Sequence, residues 1–176
     1  MKTLLTEDEL QAGVDRMASE IAAWYSHRPL TIVGVLTGSI VLLADLIRQL
    51  DMPLRVGVLQ ASSYREGTTR GALTINSEMM LDVRERDVLL VDDIFDTGHT
   101  LVEVIREVEQ LEPTSVRTAV LLRKAGRQEV DLDIDFIAFD IPNEFVVGYG
   151  LDYEDQYRNL RHLAALEPED LTETGS

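Results

Sequence analysis

The chain has 176 residues, of which 45% are hydrophobic and 27% are charged, and this size and composition suit one compact domain. Its formal net charge of -16 argues against broad binding to DNA, RNA or anionic membranes, because those partners require a cationic surface. The sequence contains no cysteine, which excludes disulfides, thiolate metal sites and a cysteine nucleophile.

The N-terminal segment does not have the pattern of a signal peptide. Acidic residues begin at Glu7, directly after a short apolar stretch. No apolar run approaches the ~20 residues that a membrane-spanning helix requires. These features predict a cytoplasmic protein.

The first half of the chain predicts two helices and two strands. Thr6 and Glu9 have the spacing of a capping box, and apolar residues at helical spacing follow them. Residues 30–36 read as a buried strand, and a tight turn separates them from a helix at residues 42–50. Residues 54–60 read as the next strand. Strand, turn, helix and strand in this order predict the βαβ unit of a parallel sheet.

Residues 61–73 differ from the segments around them. They are polar, contain two glycines and have no apolar face. Such a segment inside a compact domain is either slack surface or a mobile functional loop. The residues that follow, up to about Leu81, predict one arm of a hairpin.

The second half of the chain predicts a short apolar strand at residues 88–91 and a polar turn at residues 92–99. A helix follows, with Thr100 and Glu103 as its capping box. Three further strands are predicted, at residues 116–122, 136–139 and 145–149.

Acidic and apolar residues alternate at residues 131–135. This segment begins like a calcium loop, but Phe136 stands where that loop requires glycine. The alternation predicts an edge strand instead. We expect residues 1–166 to form a single domain and residues 167–176 to form an acidic, loosely ordered tail.

The most informative segment is residues 88–100, where an apolar strand leads through a polar turn into a helix. In open parallel sheets, ligands bind beyond the carboxyl ends of the strands. The four residues after Asp96 offer backbone N–H groups at the positive end of a helix dipole, which suits a phosphate group; they are Thr97, Gly98, His99 and Thr100.

Two adjacent acids, Asp92 and Asp93, precede that phosphate-binding turn. They would repel a polyanion unless they contact sugar hydroxyls or a hard cation such as Mg²⁺. The alternative is an ordinary helix cap with acidic flanks. The apolar strand, the paired acids and the helix together favour a functional site.

Residues 88–100 resemble the phosphoribosyl-pyrophosphate motif of the type I phosphoribosyltransferases. Three segments of the C-terminal third are similar to hypoxanthine-guanine phosphoribosyltransferases: residues 121–124, 139–153 and 157–160. The resemblance covers roughly residues 5–166. It implies an α/β fold with a mostly parallel twisted sheet flanked by helices, a small hood and a mobile active-site loop.

The resemblance also implies roles for the residues of the central motif. Asp92 and Asp93 would hold the ribose 2- and 3-hydroxyls, and the turn from Asp96 to Thr100 would bind the 5-phosphate. Asp96 would also receive or stabilise the N7 proton of the purine. His99 lies at a position that varies among relatives, and its contact with phosphate is left open.

Four residues would form the base site by the same resemblance. Lys124, the only lysine apart from Lys2, would donate to the exocyclic oxygen of a 6-oxopurine. Phe145 would stack on the purine, although core packing is the alternative reading of this residue. Val146 would contact the base through its backbone. Ile94 would line the base pocket, a position equally compatible with core packing.

The pyrophosphate side completes the implied site. Thr37 and Gly38 correspond to the pyrophosphate loop, where many relatives have a basic residue in place of Thr37, and we expect a cis peptide between these two residues. Arg158 would pair with pyrophosphate oxygens. Asp152 would help bind Mg²⁺, together with the paired acids of the motif. Ser63 and Tyr64 lie in the loop that resembles the family's active-site hood.

The implied function is purine salvage. The enzyme would transfer the phosphoribosyl group from phosphoribosyl pyrophosphate to N9 of hypoxanthine or guanine, with Mg²⁺ as cofactor. The resemblance further implies a homodimer or homotetramer that binds neither nucleic acid nor membrane. Two alternatives remain open: a regulator that binds phosphoribosyl pyrophosphate without catalysis, and a xanthine-preferring transferase.

Overall fold

The computed structural model describes residues 1–63, 73–76 and 82–171. Within them, the chain forms nine strands and three helices. In chain order these elements are β1 (Lys2–Leu5), α1 (Glu7–Tyr25), β2 (Leu30–Leu36), α2 (Ile40–Ile47), β3 (Leu54–Ser63), β4 (Leu73–Asn76), β5 (Asp87–Phe95), α3 (His99–Glu109), β6 (Ser115–Lys124), β7 (Phe136–Ile141), β8 (Val146–Val147) and β9 (Leu163–Ala165).

A six-stranded sheet forms the centre of the molecule, in the order β4-β3-β2-β5-β6-β7. Strands β3, β2, β5, β6 and β7 are parallel, and β4 is antiparallel to β3. The apolar runs of the inner strands explain this arrangement, because strands of a parallel sheet are buried on both faces. The predicted α/β class with a mostly parallel sheet is confirmed.

Consecutive residues of β5 enter different cores on the two faces of the sheet. Leu89 and Val91 belong to the larger core, which α1 and α2 cover. Leu90 belongs to a second core on the opposite face, with Val104 and Val108 of α3. Helices therefore cover both faces, and the carboxyl ends of the parallel strands are left as the open edge.

The start of α1 matches the prediction from its sequence. The Thr6 hydroxyl accepts a hydrogen bond from the Glu9 backbone N–H at 3.3 Å. The Thr6 backbone N–H donates in return to the Glu9 carboxylate at 2.8 Å. The two bonds satisfy donors that would otherwise lack a partner at the helix start.

A second sheet, of three antiparallel strands, joins the two ends of the described chain in the order β1-β9-β8. Strands β1 and β9 were not predicted, because segments of four and three residues carry little periodicity of their own. The strand expected at residues 145–149 is shorter, and only Val146–Val147 forms it. This sheet is the small hood of the fold. Its β1 end is fastened by the Met1 amino group, which contacts Glu167 at 2.5 Å and Asp170 at 2.8 Å.

The edge strand predicted at residues 131–135 is absent from the described structure, so that prediction is wrong. Leu132 and Ile134 instead pack, without regular secondary structure, against the core formed by Phe95, Leu101 and Val120. Strand β7 starts only at Phe136, where pairing with Ala119 of β6 begins. An irregular segment that packs one side against the core also alternates apolar and acidic residues, so this pattern does not distinguish it from a strand.

Two predictions lie partly outside the described residues. The mobile loop expected at residues 61–73 overlaps the described residues only at the end of β3 and at Leu73, so Tyr64 is outside them. The hairpin arm is confirmed for Leu73–Asn76, which pairs with β3, whereas residues 77–81 are also outside. None of the described helices has the length and apolar character needed to cross a bilayer.

Candidate active site

Asp92 and Asp93 lie at the carboxyl end of the central strand β5. The strand extends through Phe95, so both acids are strand residues, and the prediction that they begin a turn is wrong. The reason is pairing with β6, which continues to the partners Phe95 and Arg123. Strand geometry fixes these carboxylates more firmly than a turn would.

The two acids are partly buried and lie next to each other. Burial raises the pKa of Asp92 well above its usual range, and the charge of Asp93 adds to the increase. Burial also raises the pKa of Asp93, although the hydrogen bond with the Asp92 side chain, backbone hydrogen bonds and the positive charge of Arg158 partly oppose this. A ligand that donates hydroxyl hydrogens, or a cation, would favour the charged form of both groups.

The turn after β5 leads into α3 through Gly98, which adopts a positive φ of 92°. Phe95 and Val130 pack so closely here that a Cβ at residue 98 would lie 2.4 Å from Val130 Cγ2. The helix starts at His99, and its N-terminus has no side-chain cap. The predicted capping box of Thr100 and Glu103 is therefore wrong, because Thr100 is already inside the helix.

An uncapped start of this 11-residue helix has a chemical consequence. The N–H groups of the first turn keep their hydrogen-bonding capacity and the positive end of the helix dipole. Thr97 and Thr100 add hydroxyls beside them. The turn is therefore suited to bind a phosphate group.

Asp96 is held by two cations at the edge of this turn. Its Oδ2 lies 3.3 Å from Lys124 Nζ, and its Oδ1 lies 2.8 Å from Arg127 Nε. Burial alone would raise the pKa of Asp96, but the hydrogen bond from Arg127 and the charge of Lys124 outweigh it, so the pKa is lowered. Asp96 is thus a carboxylate at neutral pH.

The turn between β2 and α2 lies opposite these acids. Its cis peptide joins Leu36 and Thr37, one bond earlier than predicted. Ser39 is fully buried, and its hydroxyl donates to the Val35 carbonyl at 2.6 Å. Gly38 packs against Asp93 so tightly that a Cβ would lie 1.7 Å from Asp93 Oδ2. The turn can approach the acids only because residue 38 has no side chain.

Asp152 and Arg158 form the third wall. Arg158 Nη2 contacts Asp152 Oδ1 at 2.9 Å, and Arg158 Nη1 donates to the Gly150 carbonyl at 2.8 Å. Gly150 has a φ of 101°, and a Cβ there would lie 2.3 Å from the Gly38 carbonyl oxygen. The segment carrying Asp152 and the turn at Gly38 therefore rest directly on each other.

An aromatic pair lies beside Asp152. Phe145 is 49% exposed, and its ring meets that of Tyr153 edge to face at 5.4 Å between centroids. A large aromatic ring with one open side is available for stacking on a planar ligand. Val146 is buried in β8, so its side chain belongs to the core. Ile94 packs against the larger core and also lines the cavity.

These walls enclose an open cavity of about 360 Å³. Most of the predicted residues for the sugar and phosphates line it, namely Thr37, Gly38, Asp92, Asp93, Asp96, Thr97, Gly98, Thr100, Asp152 and Arg158. His99 does not line it; its Nε2 lies 2.8 Å from Glu129 Oε2 instead. Of the four predicted base-site residues, only Ile94 lines the cavity; Lys124 contacts Asp96 on its wall, whereas Phe145 and Val146 lie outside the lining.

The donors in the cavity suit magnesium only with help from a ligand. Among the described residues, no three acidic or histidine side chains are close enough to hold a metal together. Mg²⁺ commonly keeps several waters and binds through one or two carboxylates plus substrate phosphates. Asp152 on one wall and Asp92 with Asp93 on another fit this second mode.

Two supporting residues were missed from the sequence. Arg127 follows a glycine in a loop with no periodicity, and its contact with Asp96 depends on how that loop folds. Ser39 is a buried polar residue, and its position one turn before Leu43 gave no signal of its bond to Val35. A lone arginine and a lone serine in loops carry no motif.

Comparisons with known proteins agree with this geometry. The model of the family described as "Phosphoribosyl transferase domain" matches residues 2–154. The hypoxanthine-guanine phosphoribosyltransferase of Streptococcus pneumoniae is 37% identical over 169 residues, which cover 96% of this chain and 94% of that protein.

Two further relatives differ in size and source. The bifunctional protein TilS/HprT of Listeria innocua is 38% identical over 96% of this chain, which spans 26% of the length of that protein. A solved hypoxanthine phosphoribosyl transferase of Trypanosoma cruzi superposes with a TM-score of 0.92 at 37% identity, covering 98% of this chain and 94% of that one.

Proposed function

Since the chain belongs to the phosphoribosyl transferase family, and within it to the hypoxanthine-guanine phosphoribosyltransferases, we propose that it is a purine salvage enzyme. It transfers the 5-phosphoribosyl group of phosphoribosyl pyrophosphate to N9 of hypoxanthine or guanine. The products are inosine or guanosine monophosphate and pyrophosphate. The reaction is a pentosyl transfer.

The sugar phosphate occupies the cavity in this proposal. Asp92 and Asp93 accept hydrogen bonds from the ribose 2- and 3-hydroxyls, which favours their ionised forms despite the raised pKa of both groups. The 5-phosphate binds the turn from Asp96 to Thr100, where the helix start is uncapped. The backbone of residue 99 takes part, whereas the His99 side chain pairs with Glu129.

Pyrophosphate lies between the opposite walls, near Thr37, Gly38 and Arg158. Arg158 provides a planar donor group that matches phosphate oxygens. Thr37 adds a hydroxyl and no charge, so Arg158 carries more of the electrostatic attraction on this side than it would beside a basic residue. Ser63, predicted for the hood loop together with Tyr64, ends strand β3 and pairs with Leu73, whereas Tyr64 lies outside the described residues.

The purine base is placed between Phe145 and Lys124. Phe145 stacks on the ring, Ile94 lines the pocket, and the backbone at Val146 contacts the base edge. Lys124 is only 12% exposed and donates to the exocyclic oxygen of the 6-oxopurine. To reach that oxygen, Lys124 releases Asp96.

Asp96 then stabilises or accepts the N7 proton as the new bond forms at N9. Departure of Lys124 removes one of the two charges that lower the pKa of Asp96. The carboxylate consequently becomes a better proton acceptor at the moment when the base is in place. The contact between Lys124 and Asp96 beside the cavity is the observation that carries the proposal.

A panel of free bases tests the proposed function. The purified protein is mixed with phosphoribosyl pyrophosphate, Mg²⁺ and hypoxanthine, guanine, xanthine or adenine, and nucleotide and pyrophosphate are measured. We expect turnover with hypoxanthine or guanine. Turnover with xanthine alone would favour the xanthine-preferring alternative. Binding of phosphoribosyl pyrophosphate without turnover of any base would favour the regulatory alternative.

Magnesium is the proposed cofactor and neutralises charge on the departing pyrophosphate. Asp152 would hold it, partly through water, with the Asp92–Asp93 pair nearby. Since the described residues supply no three-ligand cluster, the substrate has to complete the coordination.

We therefore expect calorimetry to detect tight Mg²⁺ binding only with phosphoribosyl pyrophosphate present. In the ternary mixture, Asp152→Asn should weaken Mg²⁺ binding by about 10-fold, the lower end of the range for disturbed metal contacts. Glu154→Gln is the control, because Glu154 is exposed and two residues away. Tight binding of Mg²⁺ to the protein alone would contradict this arrangement.

A homodimer or homotetramer is the proposed assembly. The study of the Trypanosoma cruzi relative concerns the effect of its C-terminal region on oligomeric state. Residues 1–166 are proposed as the single catalytic domain, with residues 167–176 as an acidic tail. The cytoplasm is the proposed location, where free purine bases and phosphoribosyl pyrophosphate would be available.

A further inference from the structure

Asp96 has two cationic partners, and each occupies a different oxygen. Arg127 Nε contacts Oδ1 at 2.8 Å, while Lys124 Nζ contacts Oδ2 at 3.3 Å. The two partners come from different elements. Lys124 ends strand β6, and Arg127 lies three residues later in the loop.

The two cationic partners of Asp96 behave differently during the proposed reaction. The proposed function requires Lys124 to leave Asp96 for the purine oxygen. Once it leaves, Arg127 is the remaining cationic partner of Asp96 among the contacts of the described residues. Without a second partner, the carboxylate would be free to rotate away from the base as Lys124 departs.

The loop that carries Arg127 is fastened to the phosphate-binding turn. The Glu129 backbone N–H donates to the Thr97 carbonyl at 3.0 Å, and the Glu129 carboxylate lies 2.8 Å from His99 Nε2. Val130 packs against Gly98, as the close approach at that glycine requires. Arg127 is 40% exposed, yet the loop residues that follow it, Glu129 and Val130, are fixed against the phosphate-binding turn.

We propose that Arg127 is a positioning residue, which holds the Asp96 carboxylate in its productive orientation while Lys124 transfers to the base. This inference rests on the proposed function. It explains why the carboxylate is bound through both oxygens before the substrate arrives. Among the described residues, the charged groups in contact with Asp96 are Lys124 and Arg127. Burial raises the pKa of Asp96, but these two cations outweigh it, so the pKa is lowered.

The kinetic test compares Arg127→Gln with Arg123→Gln. Arg123 is a matched control, because it is also partly exposed and pairs with an aspartate, Asp140, at 2.6 Å, away from the cavity. We expect Arg127→Gln to lower kcat about 10-fold while the KM for the base changes less than about 3-fold, since misplacement of a catalytic group affects the chemical step.

Arg127→Lys should recover part of that loss, because an ammonium can still donate one charged hydrogen bond to Oδ1. Arg123→Gln should keep the kcat of the unmodified chain. The inference is overturned if Arg127→Gln retains full kcat, if Arg123→Gln loses as much, or if Arg127→Lys recovers nothing although it is folded.

A second measurement requires no turnover. The carboxyl carbon of Asp96 is followed by NMR during an acid titration and assigned by its loss in Asp96→Asn. Arg127→Gln removes a group that lowers the pKa of Asp96, so the titration midpoint should rise, whereas Arg123→Gln should not move it. An unchanged titration midpoint of Asp96 in Arg127→Gln would refute the positioning contact between Arg127 and Asp96. This outcome is independent of whether the base panel supports the proposed activity.

Discussion

Replacing Asp96 by asparagine should lower kcat by about 10²- to 10⁴-fold, the range typical for loss of a general acid–base group. The amide keeps the shape of the side chain and can still accept a hydrogen bond. It has no negative charge, however, and cannot take the N7 proton. Steady-state and single-turnover kinetics with hypoxanthine measure the effect on the chemical step.

The fold should tolerate this change well. The ion pairs of Asp96 are partly exposed to solvent, and such pairs contribute little to stability. Because the pKa of Asp96 is lowered in the folded protein, its contribution is present above the ordinary aspartate pKa and is lost as the pH falls through the lowered value. The thermal midpoint of Asp96→Asn at neutral pH should thus stay close to that of the unmodified chain.

Asp140→Asn is the control for Asp96→Asn. Asp140 also accepts hydrogen bonds from an arginine, Arg123, but it is absent from the cavity wall. Loss of this pair should leave turnover intact. Full turnover in Asp96→Asn would remove Asp96 from the catalytic role, and equal losses in both variants would point to a general structural effect.

Substituting alanine for Gly150 should reduce kcat/KM for phosphoribosyl pyrophosphate by about 100-fold, the scale expected when a site is displaced by about 1 Å. A Cβ at this position would lie 2.3 Å from the Gly38 carbonyl oxygen, so one of the two segments has to move. Gly38 borders Asp93, and the Gly150 carbonyl binds Arg158. The two segments that are proposed to bind pyrophosphate, at Gly38 and at Gly150 with Arg158, would therefore be displaced together.

Gly126→Ala separates this clash from backbone strain. Gly126 also has a positive φ, of 70°, but a Cβ there meets nothing within 4 Å. Both variants bear the cost of a left-handed alanine, about 1–2 kcal/mol, and only Gly150→Ala has the collision. Comparable kcat/KM values for the two variants would show that the close approach at Gly150 is not needed for substrate binding.

The parallel sheet was predictable because its strands are long, apolar and separated by helices. The bounds of β2 agree with the predicted residues 30–36, since a continuous apolar run leaves little choice of ends. The hood was less predictable, because β1 and β9 are defined by pairing between segments that are far apart in the chain. Their sequences alone fit a loop equally well.

The candidate site was likewise predictable only in part from the sequence. The paired acids and the phosphate-binding turn follow from one contiguous motif, which local sequence reveals. Arg127 does not, because its role arises from a loop folding back on the turn that contains Asp96. The α3 start was misplaced for a related reason: Gly98, with its positive φ, ends the turn before Thr100 can cap the helix.

The pairing of β1 with β9 also bears on synthesis of the chain. Lys2 is translated before the parallel sheet, whereas its partner Ala165 follows only after the whole of that sheet. Strand β8, which begins directly after Phe145, pairs with β9 as well. The hood beside Phe145 would accordingly be completed after the central sheet, so a nascent chain could bury that sheet before its proposed base site is whole.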